Sequence, residues 1–337
     1  MQCDFLVPGL LGAPSSYAIN DIAPALAKLM ARGSFSTENV ASTEAWIAQR
    51  FRFTSVEETH SFAAIALLGE QHAVPGASHW LRADPVHLSV NRDHVVLLDG
   101  SQLEITPMEA AALCQSMQAH FAADGLIFHA AHPERWYIQS DHPIAIHTNP
   151  PSAVRGRNVA NYWFDGADRA LWQGRLSEMQ MLLHAHPVNE AREEAGQLAI
   201  NGVWFWGAGA LPDGLRQIYS HIIAHNALFA GLAALTQARY TDTDEFHWAS
   251  LAFAMSDQTL IVLDQLDKFA AYGEWHAWRE ALAALDKGLF ERALPALRNG
   301  KIRAITIHAP DKNHAAKITT TRYDLLKFWR RDFVVEH

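Results

Sequence analysis

Two glycines one residue apart, Gly207 and Gly209, directly follow an aromatic, strand-like run at residues 203–206. Backbone amides beside such glycines can hold a phosphate, but a dinucleotide site needs a third glycine where Pro212 stands. It also needs an acidic residue for the ribose, and residues 214–241 contain none. The pattern therefore disfavours a dinucleotide site. It leaves two interpretations, a loop that binds phosphate or a strand that changes direction.

Asn189 and Arg192 lie three positions apart in a stretch that predicts a helix over residues 188–196. Side chains three apart share a helix face, and an amide beside a guanidinium can bind an anion. The alternative is that Arg192 forms an exposed ion pair with Glu193 or Glu194. We take Asn189 and Arg192 as candidate anion-binding residues.

A second polar cluster comprises Arg82, Asp84 and His87, next to a turn predicted at Asp84-Pro85. Opposite charges two residues apart, with an imidazole nearby, could bind a polar ligand. A hydrogen-bond network at a strand edge explains the same residues equally well.

Asp264 and Asp267 follow a predicted apolar strand at residues 259–263, and the carboxyl ends of strands are where α/β sheets bind ligands. A helix N-cap is the alternative explanation. The chain also has 19 histidines. Their closely spaced pairs lack carboxylates at ligand spacing, so we interpret them as structural; they include His129/His132, His184/His186 and His221/His225.

Composition limits the classes of partner. The chain has 337 residues, 49% of them hydrophobic, and a formal net charge of −9 without a dense run of Lys or Arg. We therefore expect a globular protein with no nucleic-acid partner. Cys3 and Cys114 indicate neither a disulfide framework nor a thiolate metal site. The sequence shows no targeting or membrane-spanning segment, so we expect a cytoplasmic protein with no membrane partner.

Strand and helix patterns alternate along most of the chain, which predicts a mostly parallel sheet covered by helices. Strands are expected at residues 3–7, 203–206, 259–263 and 302–308, with helices at 21–32, 167–185, 274–285 and 288–298. Residues 78–150 instead show short strands around a helix at 106–123. The predicted organisation is an α/β domain from residues 1–77 and 151–337, with an inserted α+β domain at 78–150.

The order of residues from His186 to Pro212 resembles a known family. The run His186-Pro187-Val188-Asn189-x-x-Arg192-x-x-x-Gly196, then Ala199-x-Asn201 and Gly207-x-Gly209-x-x-Pro212, is similar to a motif of archaeal-type cofactor-independent phosphoglycerate mutases. These belong to the alkaline phosphatase superfamily. Within this relationship the chain most resembles the bacterial RpfE-type regulatory proteins.

The resemblance implies an alkaline-phosphatase-like sheet with an inserted domain that begins near residues 80–84. It also implies that candidate ligand-binding residues line a cleft between two lobes. These candidates are Arg82, Asp84, His87, Asn189, Arg192, Asn201, Gly207 and Gly209.

The chain departs from this family where phosphoryl transfer needs metals and a nucleophile. The family uses two divalent metals held by Asp and His with a Ser or Thr nucleophile. Its first strand ends in an Asp-Gly pair, but this chain has Pro8-Gly9 there. Neither Ser15-Ser16 nor residues 34–36 offer a serine with the expected acidic neighbour. Trp206 replaces the family's arginine before Gly-x-Gly.

These departures favour a degenerate relative without a cofactor, which regulates or binds a small phosphorylated or carboxylate ligand. One alternative is an active metal-dependent phosphomutase or phosphatase that holds Mn or Zn in a rearranged site. That site would draw on Asp264, Asp267, His276, His308 and Asp311. The other alternative is a scaffold for a protein partner, which the 11 Trp and 16 Phe residues would suit if some are exposed.

Overall fold

The computed structural model describes residues 2–14, 16–40, 42–53, 61–71, 78–91, 94–244, 258–311, 314–330 and 333. Ser15, one of the serines that lack the acidic neighbour of a nucleophile, therefore lies outside the described residues. The chain divides into two compact units, one formed by Met1–Arg52 with Arg216–His337 and the other by Phe53–Leu215. We call them the first and second unit.

A seven-stranded sheet forms the centre of the first unit. Its order is β2-β12-β11-β1-β10-β8-β9. Strands β11, β1, β10, β8 and β9 pair in parallel, and β12 runs antiparallel to both of its neighbours, β11 and β2. The strands are β1 (Gln2–Leu6), β2 (Ser34–Glu38), β8 (His221–Ile223), β9 (Arg239–Thr241), β10 (Gln258–Val262), β11 (Ala304–Pro310) and β12 (Ala315–Thr321). This confirms the predicted mostly parallel sheet.

Helices flank this sheet. They are α1 (Ile19–Ile22), α2 (Pro24–Arg32), α3 (Thr43–Phe51), α9 (Ala227–Thr236), α10 (Gln265–Tyr272), α11 (Trp275–Leu285) and α12 (Glu291–Arg298), with a π-helical turn at Asp286–Phe290. The single helix predicted over residues 21–32 is wrong. It is interrupted at Ala23, where φ is −136° and ψ is 70°, because a proline disfavours helical geometry at the residue before it.

The two faces of the first unit's sheet differ in polarity. Residues alternate between faces along each strand, so Cys3, Phe5 and Ile307 enter an apolar core with side chains of α2 and α11. Asp4 and His308 point to the opposite face and are also buried.

The second unit contains an antiparallel five-stranded sheet in the order β4-β3-β6-β5, with β7 also paired to β3. Its strands are β3 (His79–Asn91), β4 (His94–Asp99), β5 (Leu126–His132), β6 (Arg135–Ser140) and β7 (Gly202–Gly209). Its helices are α4 (Phe62–Gln71), α5 (Pro107–Phe121), α6 (Pro151–Val154), α7 (Arg169–His184) and α8 (Pro187–Glu194). A capping box between Thr106 and Glu109 begins α5, the helix that the sequence predicts over residues 106–123.

This unit is larger than the predicted insertion of residues 78–150. The sequence pattern places the strand at 203–206 in the main sheet, but β7 pairs along β3 from Trp80 to Val86. The side chains of α7 pack in the same apolar core as those of β3 and β7. Pairing between distant segments therefore moves the boundary to Phe53 and Leu215.

The turn predicted at Asp84-Pro85 is also wrong, because β3 continues through it. On one side β3 pairs with β6 up to Arg82 and with β4 from Val86 onward. Pro85 lies in the gap between these two partners, where the missing N–H of a proline interrupts neither ladder. Among the described residues, no helix is long and apolar enough to cross a membrane.

Candidate functional site

Arg82 and Asp84 form a closed buried network on β3. The Nε and Nη2 atoms of Arg82 lie 2.8 and 2.7 Å from Oδ1 of Asp84. The guanidinium lies between the rings of Tyr137 and Trp206, 4.8 and 5.0 Å from their centroids. The indole N–H of Trp206 donates to Asp84 Oδ2 at 2.6 Å. Trp206, which replaces the family's arginine, thus completes a network inside the protein.

Burial affects the two charges of this network differently: it raises the pKa of Asp84 despite the attraction of Arg82 and the hydrogen bond from Trp206. Burial alone would lower the pKa of Arg82, but attraction to Asp84 and Tyr137 outweighs it and raises that pKa. Nearby, Arg135 forms an ion pair with Glu70, and Tyr137 donates a hydrogen bond to the same carboxylate. Arg82 therefore stays charged and is held by its own chain.

Asn189 and Arg192 share the buried face of α8, as their spacing predicts, and each is 2% exposed. The amide of Asn189 donates to the carbonyls of Leu183 and Ile200, at 2.7 and 2.8 Å, and accepts from the N–H of Ile200 at 2.8 Å. Its hydrogen-bonding atoms therefore bind neighbouring backbone.

Arg192 is equally occupied. Its Nε donates to the Leu198 carbonyl and its Nη1 to Glu109 Oε1, both at 2.8 Å, while its Nη2 donates to the Leu103 carbonyl. The alternative of an exposed ion pair with Glu193 or Glu194 is wrong, because the side chain turns inward to the start of α5. Among the hydrogen bonds of the described residues, Arg192 shares no partner with Arg82.

His87 and Asn201 join the segment before β7 to β3. Nδ1 of His87 lies 2.8 Å from the Ala199 carbonyl. The side-chain amide of Asn201 accepts from the N–H of Leu88 at 2.7 Å and donates to its carbonyl at 3.1 Å.

Gly207 and Gly209 lie at a β-bulge, where three residues of β7 span the same length as two residues of β3. Gly207 has a φ of +69°, and a Cβ there would lie 2.9 Å from the amide nitrogen of Ala63. A Cβ on Gly209 would lie 2.5 Å from the hydroxyl oxygen of Ser61. These contacts explain both glycines by the close approach of the chain at the start of α4.

A surface groove of about 340 Å³ lies beside α5 and α7 and contains a serine–histidine pair. Ser116 Oγ and His186 Nε2 are 2.9 Å apart. The N–H of Val188 donates to His186 Nδ1 at 3.1 Å. A neutral His186 must therefore carry its proton on Nε2 and donate it to Ser116, so it does not act as a base toward that hydroxyl.

In the first unit, polar residues gather where β8, β9 and β10 end. His225 Nδ1 is 3.0 Å from both carboxylate oxygens of Asp242 and 3.7 Å from Asp244 Oδ2. Asn226 begins α9 and donates to Asp264 Oδ2 at 3.3 Å. The hydrogen bond that His225 donates to Asp242, with added attraction from Asp244 and Asp264, raises the pKa of His225.

This group corrects the interpretation of the His221/His225 pair. Within the described ranges, His225, Asp242 and Asp244 are the one set of three potential ligand atoms that lie within 4.8 Å of one another. The carboxylates were missed because they come from the end of the neighbouring parallel strand, 17 positions away. An Asp or His shortly after a strand is the sequence signal that could have identified these carboxylates.

The five residues predicted for a rearranged metal site do not form such a set. His276 pairs with Glu280 at 3.3 Å on the exposed side of α11, and His308 is fully buried. Asp267 lies in the first turn of α10, packed against Gly9. The end of β1 continues as Val7-Pro8-Gly9, which offers no side-chain ligand. These residues do not fit the two metals of the family.

His308 belongs to a buried charged network. Its Nδ1 is 3.2 Å from Glu38 Oε2, and its Nε2 is 3.7 Å from Asp4 Oδ2. Arg50 and Tyr219 both donate to Asp4, at 2.6 and 2.8 Å. Burial opposes the charged imidazole, but the two carboxylates outweigh it and raise the pKa of His308.

Comparisons with known proteins support the fold. No family model matches the chain. It is 25% identical over 134 residues to the probable 2,3-bisphosphoglycerate-independent phosphoglycerate mutase of Geobacter sulfurreducens; the aligned part is 39% of this chain and 33% of that protein. The match thus spans about a third of that relative's length.

Two solved structures are similar over most of their length. The PH0037 protein from Pyrococcus horikoshii has a TM-score of 0.56 and 12% identity, over 95% of this chain and 87% of its own. The cofactor-independent phosphoglycerate mutase from Thermoplasma acidophilum has a TM-score of 0.47 and 13% identity, over 95% and 89%.

The chain therefore has the fold of the PH0037 protein, and part of its sequence is similar to a probable phosphoglycerate mutase. This confirms the family resemblance at the level of the fold.

Proposed function

We propose that this chain is a catalytically degenerate phosphoglycerate mutase-like protein that regulates or binds and does not transfer phosphoryl groups. The observation that carries the proposal is the carboxyl end of β1. Pro8 and Gly9 follow this strand at the place where a metal-binding carboxylate would be needed. Phosphoryl transfer needs positive charge on the moving group and an aligned nucleophile. The regulatory role of the RpfE-type proteins is part of this proposal.

The positions of the remaining candidates support it. His308 is bound between Asp4 and Glu38, and His276 lies on an exposed helix face. His308 lies beside Leu6, the last residue of β1, but its ring is already paired with two carboxylates, and turning it toward a metal would leave those buried groups unpaired, at a cost in stability. Bringing His276 to the end of β1 would require a rearrangement of α11.

The first experiment is an assay for phosphoglycerate mutase and phosphate-ester hydrolysis with added Mn²⁺ or Zn²⁺. We expect no turnover above background. A turnover near ~10 per second, typical of metabolic enzymes, would overturn the proposal.

The second experiment tests the ligand. Calorimetric titration with inorganic phosphate and 3-phosphoglycerate, on the wild type and on Arg192→Ala, measures whether an anion binds near α8. Arg82 and Arg192 already have carboxylate partners, so a ligand there must compete with them and we expect weak binding. Absence of binding by both proteins, with a clearly destabilised variant, would leave these residues a structural role only.

A second candidate function is a metal-dependent phosphatase or phosphomutase. The observation that favours it is the group of His225, Asp242 and Asp244 at the sheet edge. An imidazole and two carboxylates are ligands that Mn²⁺ or Zn²⁺ accepts. Mn²⁺ and Zn²⁺ titration of the wild type and of Asp242→Asn tests it; metal binding that the variant loses, together with turnover, would favour this alternative.

A further inference from the structure

Cationic and aromatic side chains from three separate chain segments form one surface of the first unit. We call it the basic–aromatic surface. It comprises Lys28, Arg32, Arg298, Arg322, Tyr323, Leu326, Phe328, Trp329 and Arg330. The segments meet because Arg32 Nη1 donates to the Leu325 carbonyl at 2.5 Å and Arg330 Nη1 donates to the Gly33 carbonyl at 3.3 Å.

The positive charges of this surface are close together and unneutralised. Burial, and then repulsion by Arg32 and Arg298, lower the pKa of Lys28. Along the described chain, no carboxylate forms an ion pair with Lys28, Arg32 or Arg298. The nearby Asp324 is already bound by Lys327, at 2.6 Å, and by Thr321. In a protein with a net charge of −9, such a concentration of positive charge favours an anionic partner.

The apolar side chains are exposed although their backbone is anchored. Leu326, Phe328 and Trp329 are 70%, 70% and 66% exposed. On either side of them Leu325 is buried, and Phe333 packs against the apolar core. The segment between these anchors therefore presents its aromatic rings outward.

Cationic and aromatic residues alternate along this segment. Arg322 stacks on the ring of Tyr323 at 4.7 Å, and Lys327 and Arg330 flank the adjacent rings of Phe328 and Trp329. Protein–protein interfaces are also enriched in Arg and aromatic residues, but they are depleted of Lys, and this surface includes Lys28. At a membrane surface, in contrast, basic groups bind phosphates at the depth where Trp and Phe rings insert.

We propose that the basic–aromatic surface docks on the headgroup layer of an anionic lipid bilayer. The cations bind lipid phosphates while Phe328 and Trp329 enter the boundary between headgroups and acyl chains. Such peripheral contact needs neither a spanning helix nor a signal sequence, so the features that led us to expect no membrane partner do not bear on it.

The test is flotation of the whole chain with vesicles of phosphatidylcholine alone, or of phosphatidylcholine mixed with phosphatidylglycerol. We expect binding to the mixed vesicles only, weakening as salt is raised. The double variant Arg298→Gln/Arg322→Gln should lower the partition coefficient roughly fivefold for each charge removed. Phe328→Ser/Trp329→Ser should also weaken binding, with less dependence on salt.

Matched controls change the same residue types outside this surface. Arg169→Gln/Arg279→Gln removes two exposed charges, and Met108→Ser/Leu171→Ser removes two exposed apolar side chains. Each variant is used only if its thermal unfolding midpoint matches that of the wild type.

Three outcomes would overturn the proposal: no flotation with mixed vesicles at low salt, equal flotation with both vesicle types, or equal losses in surface and control variants. Binding to polyglutamate without flotation would instead assign the surface to acidic proteins.

Discussion

Arg192 shows how a residue chosen for ligand chemistry can be used entirely inside the protein. Its guanidinium joins α8 to the Leu103 and Leu198 carbonyls and to Glu109 at the start of α5. An arginine beside an asparagine on one helix face is equally compatible with anion binding. The difference lies in the partners, which come from segments up to 89 positions away.

Replacement of Arg192 by alanine should destabilise the protein by about 3 kcal/mol. The change leaves Glu109 and two carbonyl groups without their donor, and unpaired buried groups carry most of the cost. Urea unfolding measures it. The control is Arg169→Ala on the exposed start of α7, which should change stability by less than about 0.5 kcal/mol. An Arg192→Ala protein as stable as wild type that loses phosphate binding would show a ligand role instead.

At the scale of elements, β7 and the start of α4 approach too closely for a side chain at Gly207. Gly196 is a useful comparison because its φ is nearly the same, +73° against +69°, but no atom of a described, non-adjacent residue lies within 4 Å of the position that a Cβ would take there. Comparing substitutions at Gly196 and Gly207 therefore separates the cost of backbone strain from the cost of crowding.

Gly196→Ala should cost about 1 kcal/mol, the ordinary strain of a left-handed L-residue. Gly207→Ala should cost at least about 2 kcal/mol, because the backbone at Ala63 must also shift. Denaturant unfolding of the two variants measures the difference. Equal costs would contradict the crowding, and a stable Gly207→Ala protein with reduced phosphate affinity would support a phosphate loop.

At the scale of the whole molecule, the network around His308 joins distant parts of the chain. Asp4 is on β1, Glu38 on β2, Arg50 on α3 and Tyr219 just before β8. Lys317 on β12 adds an ion pair to Glu38 at 3.2 Å. The edge strands and the centre of the sheet are therefore linked by charges that titrate.

This network predicts a stability maximum at mildly acidic to neutral pH. The hydrogen bond to His308 lowers the pKa of Glu38 from 4.5 to about 2, so its contribution is present above pH 4.5 and is lost as pH falls toward 2. The pKa of His308 is raised above 6.5, so its contribution is present below pH 6.5 and is lost as pH rises through the raised value. The free energy of unfolding, measured from about pH 2 to alkaline pH, tests both the loss of stability on the acid side and the loss on the alkaline side (the acid and alkaline limbs).

Two histidine variants provide the check. His308→Gln removes the titrating group between Asp4 and Glu38, and should abolish the loss of stability on the alkaline side. His276→Gln, on the exposed face of α11, should leave the pH profile unchanged. A His308→Gln protein that retains the alkaline limb would assign that limb to another group.

The sequence by itself determined the features that depend on neighbouring residues. The helix at residues 106–123, the shared face of Asn189 and Arg192 and the alternation of strands with helices all depend on residues a few positions apart. The motif from His186 to Pro212 also predicted the fold family, because it preserves the order of residues in one continuous segment.

Only the tertiary structure decided which distant groups meet. It paired β7 with β3 through Pro85, brought Asp242 and Asp244 to His225, turned Arg192 inward and joined Arg32 to the Leu325 carbonyl. Local patterns specify the type and face of an element, but they do not specify its neighbour in a sheet or the strand end beside it. Those contacts depend on long-range packing, in which the burial of apolar faces selects one arrangement among many that the same local pattern allows.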